Sequence, residues 1–240
     1  MNIVTHTFWI QKHGNEENEY EDSFHTEKMK KCFRCAVADG ATEATYSGMW
    51  AEMVVRYLCN IKFFKKGAFT PFSGIQFQKL QKEWFEKVFS KPLPWFAENK
   101  ARQGAFATVL GIELHCSNHW RAVAVGDSCL FQVREDKVVI MFPIFASINF
   151  NNRPSLLSSN PNSEVVVQSI DGTWQTGDTF YLMTDALACW FIKEIEKGQK
   201  PWHSLQHFSD NSKFRNWVEL LRDRNEIRND DVTLMRICIE

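Results

Sequence analysis

Residues 32–40 read CFRCAVADG, and the fold turns on this stretch. A short apolar run stops abruptly at Asp39-Gly40, which is turn chemistry. Residues 32–38 are therefore expected as a buried strand that delivers a carboxylate at its end. Upstream, residues 3–10 read as a first strand and residues 13–21 (HGNEENEYE) as a polar, acidic loop. Downstream, Met49, Trp50, Met53, Val54, Tyr57, Leu58 and Ile61 recur at helical spacing. A second helix carries Phe77, Leu80, Trp84 and Val88 and must end near Pro92 and Pro94.

The middle of the chain is rich in strands. Residues 105–115, 120–125, 129–133 and 138–142 are β-type runs broken by turn residues. Residues 149–163 (NFNNRPSLLSSNPNS) form the clearest loop. Two more strands follow at 165–170 and 179–184. Asp185 then opens a helix holding Leu187, Trp190, Phe191 and Ile195. Phe214, Trp217, Val218 and Leu221 mark a last long helix, and residues 232–239 close the chain as a strand. Strands and helices come in blocks, which predicts α+β layers with antiparallel sheets and not a doubly wound α/β fold.

At 240 residues the chain is long enough for one domain, 1–240, with a sizeable core. Net charge is −1, from 28 basic and 29 acidic residues, which gives no electrostatic footprint for nucleic acid or a membrane surface. The first residues lack a basic segment followed by a long apolar one, so they do not read as a signal peptide. No apolar run reaches about 18 residues, the length a membrane span needs. Seven scattered cysteines, an odd number, point to reduced thiols and a cytoplasmic protein. With 20 Phe and 9 Trp, the core is expected to be aromatic.

Three aspartates occupy matching places. Asp39 ends one strand in AVADG, Asp185 ends another in FYLMTDALA, and Asp230 and Asp231 precede the last in RNDDVTLMRI. Carboxylates at strand ends converge on a sheet edge, where they repel each other unless a cation neutralises them. Hard oxygen ligands select Mg²⁺ or Mn²⁺ over zinc. Two such ions about 3.5–4 Å apart can bind phosphate oxygens and activate water. Taken singly, each aspartate is more readily a helix cap or turn residue; together they point to a site.

Five motifs in order resemble the type 2C protein phosphatases, the metal-dependent serine/threonine phosphatase family. The first is the acidic pair Glu21-Asp22 in YEDSF. AVADGATEATYSGMWAEMVV (36–55) resembles the strand-Asp-Gly motif with the long helix after it. GAFATVLGIEL (104–114) with WRAVAVGDSCLF (120–131) resembles the paired strands around Gly-Asp-Ser. GDTFYLMTDALACWF (177–191) and NDDVTLMRI (229–237) complete the set. The resemblance covers about residue 10 to the end, and the DGAT…WA and TDALA variants are similar to a bacterial branch.

The resemblance implies a four-layer α-β-β-α sandwich with two central antiparallel sheets. It implies that Asp39 bridges two Mg²⁺ or Mn²⁺ ions, that the Gly40 carbonyl binds the first, and that Asp185 and Asp230 bind the second. Glu21 and Asp22 would hold waters around the ions, and Asp127, in Gly-Asp-Ser, would help hold a weaker third ion. Asp231 is the alternative ligand to Asp230. The implied reaction is attack of activated water on a phosphoserine or phosphothreonine ester. The implied partner is a phosphorylated protein, opposing a serine/threonine kinase, with no nucleic acid or membrane and a monomeric enzyme.

The chain departs from the family at three places. Many members carry an arginine, which grips phosphate, four residues before the acidic pair; here it is Glu17. Lys12, His13, Lys28, Lys30 and Lys31 are alternative cations. Ala41-Thr42-Glu43 follows Gly40, with no histidine to act as general acid. Cys189 stands where relatives place an aspartate for the third ion. Two other readings therefore stand beside an active phosphatase: a catalytically weak binding or regulatory module on the same fold, and a metal-dependent phosphoesterase acting on small molecules.

Other signals are weaker. Cys32 and Cys35 have redox or zinc spacing, but strand positions three apart face opposite sides. His115 and His119 flank a hairpin turn. His203 and His207 have the spacing of one helix face, which is more readily a solvated face than a ligand pair. Ser47 and Ser128 lack the partners of a serine nucleophile.

Overall fold

The computed structural model describes residues 1–41, 44–64, 70–150, 153–161 and 163–240. Thr42 and Glu43, and parts of the predicted loop at 149–163, lie outside the described residues. In chain order the elements begin β1 (Ile3–Ile10), β2 (Ser23–Lys28), β3 (Cys32–Gly40), α1 (Ser47–Asn60), α2 (Ile75–Val88) and α3 (Trp95–Arg102). Then come β4 (Phe106–His115), β5 (His119–Val125), β6 (Cys129–Arg134), β7 (Lys137–Phe142), β8 (Leu157–Ser158) and β9 (Gln168–Thr173). The last are β10 (Thr179–Met183), α4 (Asp185–Glu196), α5 (Trp202–Leu205), α6 (Asn211–Asp223) and β11 (Val232–Ile239). The chain is α+β, as its blocks of strands and helices predict, with two antiparallel sheets flanked by helices.

The chain divides into two compact units. One comprises Glu21–Gly126 and Ser155–Thr173. Its sheet runs β2-β3-β4-β5-β9, with β8 paired to β4. Every residue of β3 from Cys32 to Ala38 is buried, which explains a continuous apolar run in place of alternation. β4 pairs β3 so that Asp39 faces Thr108 and Gly40 faces Ala107. Ala36 and Ala38 are small enough for α1 to lie close, and Trp50, Val54 and Leu58 of that helix are fully buried. The Trp50 indole N–H donates to the Leu157 carbonyl at 2.9 Å, and its ring meets Trp84 edge-on, with centroids 6.5 Å apart. The expected aromatic core is present on this scale.

The other unit comprises Met1–Tyr20, Asp127–Pro154 and Trp174–Glu240. Its sheet runs β1-β11-β10-β6-β7. Phe8, Phe131, Tyr181 and Leu234 from the strands form one core with Leu187 and Phe191 of α4 and Phe214 and Val218 of α6. The Phe131 and Phe191 rings lie 4.3 Å apart, centroid to centroid.

Several elements differ from the sequence expectation, among them β8, which lies within the predicted loop at 149–163. β2 (SFHTEK) buries no residue fully and carries no apolar period, because it is an edge strand held by its ladder with β3. β9 lies three residues beyond the predicted run at 165–170. Its register is set by pairing with β5, and Gly172 lies against the Trp120 ring, where a Cβ would come within 2.7 Å of Cζ2. α3 was not foreseen: Trp95 is exposed and Ala101 is its buried contact, so no amphipathic stripe announces it. α5 ends at Leu205, so His207 does not share a helix with His203; His203 instead bonds Asp136 at 2.5 Å. Cys32 and Cys35 are buried free thiols.

The first unit encloses a charged pair. Arg34 Nε donates to Glu113 Oε2 at 2.5 Å, with both side chains almost wholly buried. Arg34 also donates to the Cys59 carbonyl at 3.1 Å, and the Phe63 N–H donates to Glu113 at 3.2 Å. The pair thus ties β3 and β4 to the end of α1 and the segment after it. Removing one partner strands a buried charge. Arg34→Ala should cost about 3–5 kcal/mol in urea unfolding, and the apolar double replacement Arg34→Met/Glu113→Leu should recover most of that loss. A single-variant loss below about 1 kcal/mol would mean that the pair is hydrated.

Candidate metal centre

In the unit built on β3, the end of that strand is fixed by close backbone contact. The Gly40 N–H donates to the Glu21 carbonyl at 3.3 Å, and the Ala41 N–H donates to the Phe106 carbonyl at 2.9 Å. A Cβ on Gly40 would stand 2.8 Å from the Ser47 carbonyl carbon and 2.9 Å from the Glu21 oxygen, so only glycine fits where β3 passes the first turn of α1. Ser47, buried at that turn, donates its hydroxyl to Glu21 Oε1 at 2.6 Å. Asp22 is buried and Asp39 partly buried. Glu21, Asp22, Asp39 and Gly40 therefore belong to one strand-to-helix corner of this unit.

In the other unit, two threonines set the geometry. The Thr233 N–H donates to Thr184 Oγ1 at 2.9 Å, and the Thr184 N–H donates to the Thr233 carbonyl at 3.2 Å. The Tyr20 hydroxyl closes on Thr233 Oγ1 as well. Asp185, first residue of α4, is thereby fixed beside the residues that lead into β11. Arg222, buried on α6, donates to the Asp230 carbonyl at 2.6 Å and to the Gln11 carbonyl at 3.0 Å. The Lys12 N–H donates to Asp231 Oδ1 at 2.7 Å. The adjacent aspartates thus have different surroundings: Asp231 fastens the N-terminal segment, whereas Asp230 turns toward Asp185.

This brings Asp127, Asp185 and Asp230 together. Asp127 is 5% exposed and Asp185 7%. Their Oδ1 atoms are both buried without a hydrogen-bond partner. Burial, followed by the charge of Asp185, pushes the Asp127 carboxyl up to about 7. Burial also raises Asp185, against the lowering effect of Arg228. Arg228 Nη2 bonds Asp185 Oδ2 and lies 2.9 Å from Asp230 Oδ2, so one nitrogen serves both carboxylates. Burial raises the Cys189 thiol, one turn along α4 from Asp185.

As the side chains stand, no three His, Cys, Asp or Glu among the described residues are grouped to hold an ion. The donors nevertheless fit a hard divalent cation. They are all carboxylate oxygens, two are buried without partners, and their mutual repulsion is what a cation would relieve. Arg228 and Arg222 were not anticipated from sequence. The signal for Arg228 was its place two residues before Asp230; that for Arg222 was a basic residue in the last turn of an otherwise amphipathic helix.

The sequence model of the family described as protein phosphatase 2C matches residues 11–231, and the chain belongs to that family. Three solved structures show the same fold. A bacterial serine phosphatase is 11% identical with a TM-score of 0.66, over 100% of this chain and 98% of that one. The Mycobacterium tuberculosis serine/threonine phosphatase PstP/Ppp is 14% identical with a TM-score of 0.65, over 99% of each chain. The S. agalactiae serine/threonine phosphatase is 13% identical with a TM-score of 0.61, over 99% of this chain and 100% of that one. None of the curated proteins compared with the chain matches it. Among the described residues no helix is long and apolar enough to cross a membrane.

The raised Asp127 carboxyl has a consequence for metal-free stability. The folded protein takes up this proton near pH 7 and the unfolded chain near pH 4, so between them the folded state binds more protons. The stabilisation from the protonated carboxyl is fully present below about pH 4 and is lost as pH rises through about 7. In chelator-treated protein, Asp127→Asn should therefore be more stable than wild type at pH 8, by roughly 1–4 kcal/mol, with the gain disappearing near pH 4. Urea unfolding across that range measures it. A gain that does not vary with pH would show that Asp127 keeps its charge in the fold.

Proposed function

We propose that the protein is a metal-dependent protein phosphatase that hydrolyses phosphoserine and phosphothreonine esters. The observation that carries this reading is the pair of buried, unpartnered carboxylate oxygens of Asp127 and Asp185, beside Asp230, in a chain of the protein phosphatase 2C family. Bound Mg²⁺ or Mn²⁺ would supply Lewis acidity toward phosphate oxygens and lower the pKa of water. On this reading, Asp39, the Gly40 carbonyl, Asp185 and Asp230 are the ligands of two ions. Asp127 contributes to a weaker third, since Cys189 stands one turn from Asp185 and offers a thiol with raised pKa. Glu21 and Asp22 orient waters around the ions. Ala41 follows Gly40, so the leaving alkoxide takes its proton from water and not from an imidazole there.

The substrate on this proposal is a phosphorylated protein in the cytoplasm, modified by a serine/threonine kinase, and the enzyme acts as a monomer. One observation favours a second reading, a catalytically weak binding or regulatory module. Glu17, where many members have the phosphate-gripping arginine, is an acid paired with Arg215 at 2.6 Å. Hydrolysis of para-nitrophenyl phosphate and of phosphopeptides with Mn²⁺ decides between the two. Turnover of neither substrate would overturn the enzyme reading, and turnover of small esters alone would overturn the protein substrate.

Asp39→Ala should leave less than about a tenth of wild-type activity, a barrier change above ~1.4 kcal/mol, with an unchanged melting curve in chelator. Retained activity would remove Asp39 from the ligand set. Asp230 and Asp231 should separate. Asp230→Asn should cost at least about a hundredfold in kcat, on the order of 2.7 kcal/mol, and Asp231→Asn, which still accepts from the Lys12 N–H, less than about tenfold. Equal losses would assign the ligand role to both or to neither.

A further inference from the structure

Arg228 stands one residue before the closing motif NDDVTLMRI (229–237). Its Nη2 atom bonds carboxylates from two elements, Asp185 at the start of α4 and Asp230 in the segment before β11. A cation between these two carboxylates relieves the same repulsion that a divalent ion would relieve. The charge count agrees. Asp127, Asp185 and Asp230 carry three negative charges when ionised, and the single positive charge of Arg228 balances only one of them, so a divalent ion in its place would neutralise more of the cluster.

The residues that carry the carboxylates are fixed. Asp230 is pinned through its carbonyl by Arg222 and through Oδ1 by the Asp231 N–H at 3.1 Å. Asp185 is 90% buried as a side chain and fixed by the Thr184–Thr233 bonds. The Arg228 side chain is 49% exposed, and side-chain rotation alone can carry a long arginine away from Asp185. A displaced guanidinium would remain tethered two residues from Asp230. Its planar fork matches the geometry of phosphate oxygens. Residue 17 offers no such cation, being a glutamate already paired with Arg215.

We propose that Arg228 is the internal cation of the Asp185–Asp230 seat, that a divalent ion enters by displacing it, and that the displaced guanidinium then grips the substrate phosphate. This rests on the phosphatase reading above. The phosphate of a phosphoserine or phosphothreonine ester is its ligand, and inorganic phosphate is the probe for it.

The experiment is calorimetry on the full chain. Mn²⁺ is titrated into chelator-treated wild type, Arg228→Ala and Arg228→Lys, with circular dichroism to confirm folding. Removing a competing cation should tighten Mn²⁺ binding at least about fivefold in Arg228→Ala, with Arg228→Lys in between. Inorganic phosphate is then titrated into the Mn²⁺-loaded proteins, and Arg228→Ala should bind it at least about tenfold more weakly. Unchanged or weaker Mn²⁺ binding in Arg228→Ala would overturn the displacement. Unchanged phosphate affinity would overturn the grip. If no form of the protein binds Mn²⁺, the metal-dependent phosphatase reading falls and this inference falls with it. Mn²⁺ and phosphate binding that ignore residue 228 would overturn this inference alone.

Discussion

Carboxylates buried side by side repel, and the unit built on β11 is organised around containing that repulsion. Asp127 and Asp185 have lost most of their contact with water, and Asp230 adds a third negative charge. Left alone, such a cluster would push apart or take up protons. The Thr184–Thr233 bonds and the hold of Arg222 on the Asp230 carbonyl oppose the first response. The raised Asp127 carboxyl is the second. Strand register, the start of α4 and the buried arginine of α6 are thus connected to one electrostatic problem.

The other unit meets a buried charge differently. Arg34 and Glu113 neutralise each other, and each spends a further hydrogen bond on a backbone group. That arrangement is closed and leaves nothing for a ligand. The aspartates around Arg228 outnumber their cation, and Asp127 and Asp185 keep buried oxygens unbonded, a surplus that marks a candidate site and not a structural pair.

Much of the fold was legible because its central strands are apolar throughout. β3, β10 and β11 appear in the sequence as short runs of buried residues with an aspartate at one end, so strand and candidate ligand could be read together. β2, β9 and α3 were not legible. Two are edge strands whose place is set by a neighbour's ladder, and the third is a helix with an exposed tryptophan and little buried face. The carboxylates were visible for the same reason as the strands. Arg228 was not, because nothing in RNDD tells which carboxylate, forty-three residues away, its guanidinium reaches. Likewise, that Asp231 binds Lys12 and Asp230 does not is a fact of register and packing. Alternation along a strand foretells only that neighbours diverge.

The sheet order β1-β11-β10-β6-β7 places β11 between β1 and β10. Ile3 pairs with Ile239, so β1 waits for a partner more than two hundred residues away. A ribosome adding about 5–20 residues per second leaves that edge unmatched for roughly ten seconds or longer. The unit containing β3 uses nothing beyond Thr173 and has its full complement of strands earlier. Asp230 joins Asp185 only when β11 docks. The acidic cluster is therefore assembled only after residue 230 has been synthesised, and a nascent chain halted before it lacks the cluster.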